Sequence, residues 1–496
     1  MKRRHNTLSG YGERFRPYIV TALALVASYV LFFLLLGAEE GIIRPLMLNG
    51  VLLCFVILLL HSGKTREIKT EHLIIAIIAA GIVMRIGYML YTPFWVRGHD
   101  IYGYNDCGHY GYMYRFFDTW RLPETNGYLF YHPPFQHIMQ AIVVKIFSLF
   151  QPGAQRDALF EASKLVPCFA SCALLFVSRS ICIETGLSRR AIAIALAIIA
   201  FHPTFYILSA SVNNDTLMLF FFMTAVLYTI RWYKDPTMKN ILLIAVCIGL
   251  AMMTKVSGGM VALFTGPVFL IVLVKRLREK RAKPLIGQFV AFALVCLPLA
   301  LWYPLRNYIL FGQSLGYVME IGTNSDLYCG GRTIAERFLS FPLGGIIDPL
   351  YCQPYGDYNI WLYTLKCSAF GEYTFNQAPF LAAELIVANL AAILISLAGM
   401  IYILARGKEV NRLARFGLFG IWLVQILSFI AFNIRYPFGC TMDFRYIMPT
   451  AITGAIYAGI ALDRIGRQKS YGDTLYYLGA TAVGVFCIAS VLFYAA

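Results

Sequence analysis

The chain has 496 residues, 59% of them hydrophobic and only 14% charged, with 42 Lys and Arg against 26 Asp and Glu for a net charge of +16. Its apolar residues fall in runs of about 17 to 25 with short polar punctuation, which excludes a soluble multi-domain chain and predicts an all-α polytopic membrane protein. More than half of the Lys and Arg fall in segments that alternate between those runs, so the charge is a positive-inside signature and excludes a nucleic-acid footprint.

In chain order, a basic tail, "MKRRHNTLSGYGERFRPY", is followed by spans at 18–37 and 42–61, and residues 1–71 form an N-terminal unit of tail plus two spans. The first run is full-length and lacks a small-residue cleavage site, so it reads as a signal anchor at most. A span at 72–92 leads into a large polar loop, 93–131. The stretch 132–150, "HPPFQHIMQAIVVKIFSLF", carries His132, Gln136, His137 and Lys145 and is expected as an incomplete or interfacial helix, with a full crossing as the alternative. Further spans are predicted at 165–183, 190–210, 215–231, 240–254, 256–274 and 287–307. A second large loop, 308–377, precedes the C-terminal spans of 378–496, at 378–404, 415–433, 442–462 and 475–495, for about 13 in all. With the N-terminus in the cytoplasm, both large loops lie on the outer face. Seven of the 12 cysteines sit in spans and five (Cys107, Cys329, Cys352, Cys367, Cys440) on the outer side; no particular bridge is expected of an odd number.

Five separated segments bring charge to that outer face. Asp100, in "RGHD" just past the third span, is either a helix cap at about Ile101 or a half-shielded carboxylate suited to general-base work, with Asp106 an equal competitor. Asn213, Asn214 and Asp215 open a span and offer more hydrogen-bonding groups than one cap needs. Lys255, beside Ser257, Gly258 and Gly259 at a hairpin tip, either snorkels to the membrane edge or binds a phosphate at headgroup level. Arg306 and Arg445 run against the positive-inside tendency and call for a partner, either Asp443 or Asp215 or a phosphate held in a fork. The loop tyrosines fit an interfacial belt as well as sugar stacking.

Taken in order, "GHD" (98–100), "GHYGYMYRF" (108–116), "LP" (122–123), "YHPPF" (131–135), "NNDTLM" (213–218), "TKVSGG" (254–259), "WYPLRNYILFG" (302–312) and "DFRYIMP" (443–449) resemble the GT-C superfamily of polyprenyl-phosphate-sugar glycosyltransferases. The likeness is to the bacterial relatives of protein O-mannosyltransferases and of the lipid A aminoarabinose transferase. It implies a GT-C bundle in a bacterial plasma membrane, with short interfacial helices in its outer loops and an extracytoplasmic site. There an inverting transfer would move a sugar from a polyprenyl-phosphate donor to a protein, lipid or glycan acceptor. By the same resemblance Asp100 is the base, while His99, His109, His132, Asn214, Asp215, Lys255, Arg306, Asp443 and Arg445 bind the donor. It leaves open a divalent cation, Mg or Mn, near Asp100 and Asp215. Two spans ahead of the first-loop motif and the end of the chain soon after its last span depart from the pattern and leave the acceptor unassigned. A multi-span transporter or lipid flippase is the alternative, and would place repeats or ionisable residues near the bilayer midplane.

Overall fold

The computed structural model describes residues 40–65, 68–103, 106–124, 126–468 and 471–495; the expected span 18–37 lies outside them. Every regular element among them is helical, apart from an isolated bridge between Tyr328 and Phe438. Among the described residues, nine helices are long and apolar enough to cross a membrane, as expected of an integral multi-pass protein.

Two of them come first, α1 (Glu40–Thr65) and α2 (Thr70–Tyr91). The first loop carries α3 (Gly108–Thr119), and α4 (Phe135–Phe150) follows it. Short turns lead into α5 (Leu165–Glu184), then come α6 (Arg189–Phe201), α7 (Asp215–Lys234), α8 (Met238–Thr254), α9 (Ala262–Arg278) and α10 (Lys283–Phe311). After the second loop, with its helix α11 (Ile360–Phe370), come α12 (Pro379–Arg406), α13 (Leu418–Arg435), α14 (Pro449–Ile465) and α15 (Gly472–Ala495).

Nine of the expected spans coincide with these long helices, and the described residues correct two others. The span 190–210 is broken: α6 stops at Phe201, and Pro203 opens a separate turn of helix to Ile207. Proline lacks the amide that would continue the ladder and pushes His202 to extended backbone, seen here as ψ 120. The segment 442–462 is helical only from Pro449, because residues 444–447 form a 3-10 turn. The 240–254 span is the 17-residue α8, among the shorter apolar helices. The second large loop is not all loop, since α10 runs on to Phe311 and α11, with the sequence "IWLYTLKCSAF", is buried at every residue but Trp361.

Packing follows the apolar stripes. Helix α8 packs between α7 and α10, α7 also meets α5, and α6 is clasped by α2, α14 and α15. Buried polar groups pin this interior: Arg85 of α2 donates to the carbonyls of Ile199 and Ala200 at 3.0 and 2.8 Å and to Ser171 Oγ at 3.0 Å, joining three helices. A charge so deep is tolerated because its donors meet acceptors.

Helix α4 has 16 residues, about 24 Å of rise against a hydrocarbon core of about 30 Å. Its buried face carries Gln136, His137 and Gln140. The outer-face placement expected from the sequence predicts that a cysteine placed at Gln155 reacts with a membrane-impermeant maleimide from outside. One at Leu187 should react only after permeabilisation; outside labelling at Leu187 would reverse the assignment.

Candidate active site

The residues singled out from separate parts of the sequence converge at one end of the bundle. Arg445, 8% exposed, is the centre: its guanidinium lies 3.4 Å from Asp443, 3.9 Å from Asp215 and 3.9 Å from Asp100. Lys255 Nζ stands 2.5 Å from Asp215 Oδ1. Both Lys255 and Arg445 lie over the Tyr446 ring at 5.1 Å.

Local chain geometry places each group. Asp100 takes a left-handed backbone, φ 55, which a non-glycine residue adopts only when held. The hold is a pair of backbone bonds, His109 N–H to the Asp100 carbonyl at 3.0 Å and Tyr110 N–H to Ile101 at 2.9 Å, which fasten the loop onto the start of α3. Asp100 is therefore no cap at Ile101, since α3 begins at Gly108. The Tyr128 hydroxyl donates to the Asp100 carboxylate. Asp215 begins α7, and Asn214 Nδ2 donates to the Thr254 carbonyl at 3.1 Å, tying that start to the end of α8 and bringing Lys255 alongside. Asp443 caps the 3-10 turn, accepting the Arg445 N–H at 2.8 Å.

Gly258 allows a close backbone approach, but the approach is to α8 itself, where a Cβ would meet the Ala251 carbonyl carbon at 2.7 Å. Arg306 is engaged elsewhere, donating to the Pro123 carbonyl at 2.6 Å and to Asn307 Oδ1 at 3.1 Å, so it braces the first loop against α10. Asp106 is exposed and makes none of the cluster's ion pairs. His109 Nδ1 meets His137 Nε2 at 2.9 Å with the rings stacked, which staples α3 to α4. The His132 carbonyl accepts the Tyr112 hydroxyl at 2.9 Å, and its ring rests on Tyr131.

Sequence reasoning missed Glu372 and Tyr128. Glu372 follows Gly371, whose φ of 64 turns the chain sharply at the end of α11. Its carboxyl accepts from Tyr363 at 2.7 Å and lies 3.5 Å from His99 Nδ1, while His99 Nε2 lies 3.6 Å from Asp443. One acidic residue in "FGEYTF" has no partner at motif spacing, so nothing in the sequence marked it.

Burial raises the Asp100 carboxyl, but Arg445 and the Tyr128 hydroxyl more than offset this and hold it at about 2. Burial, and then the adjacent Asp443, push Glu372 up to about 8. Asp443 is raised as well, by burial against the opposing pull of Arg445, so the two carboxyls retain a proton between them at neutral pH. His99 is pushed far below the usual imidazole range by burial and then by Arg445, and is neutral.

Among the described residues, His99, Glu372 and Asp443 form a group whose ligand atoms lie within 4.8 Å of one another. Asp100 and Asp215, near which the sequence left a cation open, are not in it: both face Arg445, and Asp215 is also engaged by Lys255. One imidazole nitrogen and two carboxylates make a donor set of the kind Zn or Mn takes, and Asp443 Oδ2, buried without a hydrogen bond, fits a ligand's role. A cation there would displace the proton that Glu372 and Asp443 share.

Residues 131–302, about a third of the chain, match the family model described as dolichyl-phosphate-mannose-protein mannosyltransferase. That stretch resembles the GT-C polyprenyl-phosphate-sugar glycosyltransferases. No curated protein matches it in sequence. Among solved structures, it is similar to the oligosaccharyltransferase AglB of Archaeoglobus fulgidus in complex with an inhibitory peptide and a dolichol-phosphate, at 14% identity and a TM-score of 0.48 over 86% of this chain. It spans 56% of the length of that protein. It is also similar to ArnT of Cupriavidus metallidurans bound to undecaprenyl phosphate, at 13% identity and a TM-score of 0.35, over 79% of this chain and 78% of that one.

Two outcomes test the electrostatics of this site. Asp215 is 2% exposed at its side chain and Lys255 15%, so Lys255→Met leaves a buried carboxylate with one partner fewer and costs about 3 kcal/mol. Adding Asp215→Asn should restore much of that loss, read as melting temperature in detergent. For Glu372, the folded carboxyl titrates above its ordinary 4.5, at about 8. Its contribution to stability is thus present in full below 4.5 and lost as pH rises through about 8. Glu372→Gln should flatten the fall in melting temperature between those two values.

Proposed function

We propose that the chain is a membrane glycosyltransferase that moves a sugar from a polyprenyl-phosphate donor to an acceptor on the extracytoplasmic face, with inversion, Asp100 serving as base. One observation carries the reading. On one side of the turn Phe444–Ile447, Arg445 and Lys255 converge on the carboxylates; on the other, Phe444 and Ile447 line an apolar cavity of about 530 Å³ between α11, α12, α13 and α14. A phosphate at the cations with its isoprenoid chain in the cavity matches both faces of that turn. The family match of residues 131–302 supports the same chemistry.

The steps follow from the groups present. Lys255 and Arg445 take the phosphate oxygens and neutralise the charge that develops as the sugar–phosphate bond breaks. Asp100, the most open of the carboxylates facing Arg445 with 36% of its side chain exposed, faces the acceptor. It is ionised at neutral pH, accepts a hydrogen bond from the acceptor hydroxyl and takes its proton as the new bond to the anomeric carbon forms. Attack opposite the departing phosphate inverts the sugar. Tyr128, donating to Asp100, fixes the carboxylate's direction. His99, Glu372 and Asp443 would hold a divalent cation, which supplies further positive charge beside the phosphate.

Asp100→Asn should lower transfer from a short-chain polyprenyl-phosphate sugar by about two to four powers of ten while donor binding stays near the parent value. A folded, donor-binding variant that turns over at the parent rate would remove Asp100 from the chemistry.

A further inference from the structure

The second loop holds a polar pocket of about 390 Å³ that the transfer chemistry above does not use. Its walls are two arms of that loop, 326–332 and 354–358. Both arms are fastened to residues 437–439. Cys329 N–H donates to the Pro437 carbonyl at 2.9 Å, and Gly439 N–H donates to Leu327 at 2.8 Å. Gly439 packs so closely on the Pro354 carbonyl that a Cβ would meet its oxygen at 2.1 Å. The arms are also stiff within themselves. Tyr328 lies against the backbone of Gly330, and Asp357 closes a turn by accepting the Gln353 N–H at 2.8 Å. The walls are formed before any ligand arrives.

The chemistry of the walls selects a ligand class. Tyr355, 74% exposed, and Tyr328 offer aromatic faces; Arg332 lies 4.6 Å over the Tyr358 ring; Asp326 and Asp357 offer acceptors. A phosphate would meet two carboxylates, and a metal ion would meet the Arg332 guanidinium. A sugar suits all of them, since its C–H face stacks on a ring while its hydroxyls donate to carboxylates and accept from arginine.

We propose that this pocket is a saccharide-binding subsite for a glycan acceptor. The proposal rests on the glycosyltransferase reading above and assigns its acceptor class. Gly439 is four residues from Asp443, a reach of at most about 14 Å of extended chain. A saccharide of a few rings seated between the arms can therefore extend its end toward Asp100.

Full-length protein in lipid nanodiscs is titrated with mannotriose, maltotriose and chitotriose, with binding read by saturation-transfer NMR. At least one of the three binds, and Tyr355→Ala and Asp326→Asn each weaken that binding about tenfold. Melting temperature and the affinity for a short-chain polyprenyl phosphate stay unchanged in both variants. Absence of binding by all three sugars overturns the proposal, as does binding that neither variant weakens. So does an unglycosylated peptide bound at the pocket, and lost in Tyr355→Ala, when no sugar binds. Polyprenyl-phosphate binding is measured in the same samples, so a failure of the donor reading shows in that titration and a failure of the subsite in the other.

Discussion

The site depends on the burial of one guanidinium among carboxylates drawn from three places in the chain. Arg445 faces Asp443 on its own turn, Asp215 at the start of α7 and Asp100 in the first loop. Taking any of these carboxylates out of water unpaired would cost several kcal/mol, so the arginine is the condition on which the first loop, α7 and the turn before α14 can meet. The distances, 3.4 to 3.9 Å, are those of charge attraction and exceed hydrogen-bond length. Arg445 Nε, Asp215 Oδ2 and Asp443 Oδ2 are accordingly buried without hydrogen bonds. These loose contacts hold the frame together and leave directed positions for the oxygens of a substrate.

Charge balance narrows what the site can accept. Four carboxyl groups, Asp100, Asp215, Glu372 and Asp443, gather around two cationic side chains, Lys255 and Arg445, an excess of acidic groups that the proton retained by Glu372 and Asp443 reduces. A phosphate entering that arrangement adds to the excess. Relief can come from a cation among His99, Glu372 and Asp443, or from a carboxylate yielding its partner to the phosphate. The attraction of Arg445, 3.9 Å away, lowers the basicity of the Asp100 carboxylate. In the proposed reaction, a donor phosphate that drew the guanidinium toward itself would weaken this attraction, which would couple donor binding to activation of the base through one side chain.

Much of this was legible in the sequence, because the signals that mark it are local. Runs of apolar residues fixed nine long helices, and charges at the ends of those runs pointed to Asp100, Asp215, Lys255, Asp443 and Arg445, which do come together. What was not legible depends on three-dimensional neighbours. Arg306 has the same position at a helix end as Arg445, yet it reaches the Pro123 carbonyl, a choice set by how the first loop folds over α10. Glu372 stands alone among aromatic residues, and only the turn at Gly371 brings it to His99. The break at His202 shows the opposite case, where a local signal, Pro203, was present and was outweighed in the reading by the apolar run around it.

The segment from Pro437 to Pro449 joins these features mechanically. Its first residues bind the arms of the second-loop pocket, Asp443 and Arg445 form the charged centre, Phe444 and Ile447 wall the apolar cavity, and Pro449 starts α14. Alternation along a tight 3-10 turn explains how neighbouring residues serve opposite sides, since successive side chains there project about a third of a turn apart. A rigid α14 below and a hydrogen-bonded loop above leave the turn little freedom, so the spacing between pocket, charges and cavity is set by a dozen residues of one chain segment. Lengthening or shortening that segment would shift all three relative to one another, which makes it the part of the chain least able to tolerate an insertion, although it is almost entirely irregular structure.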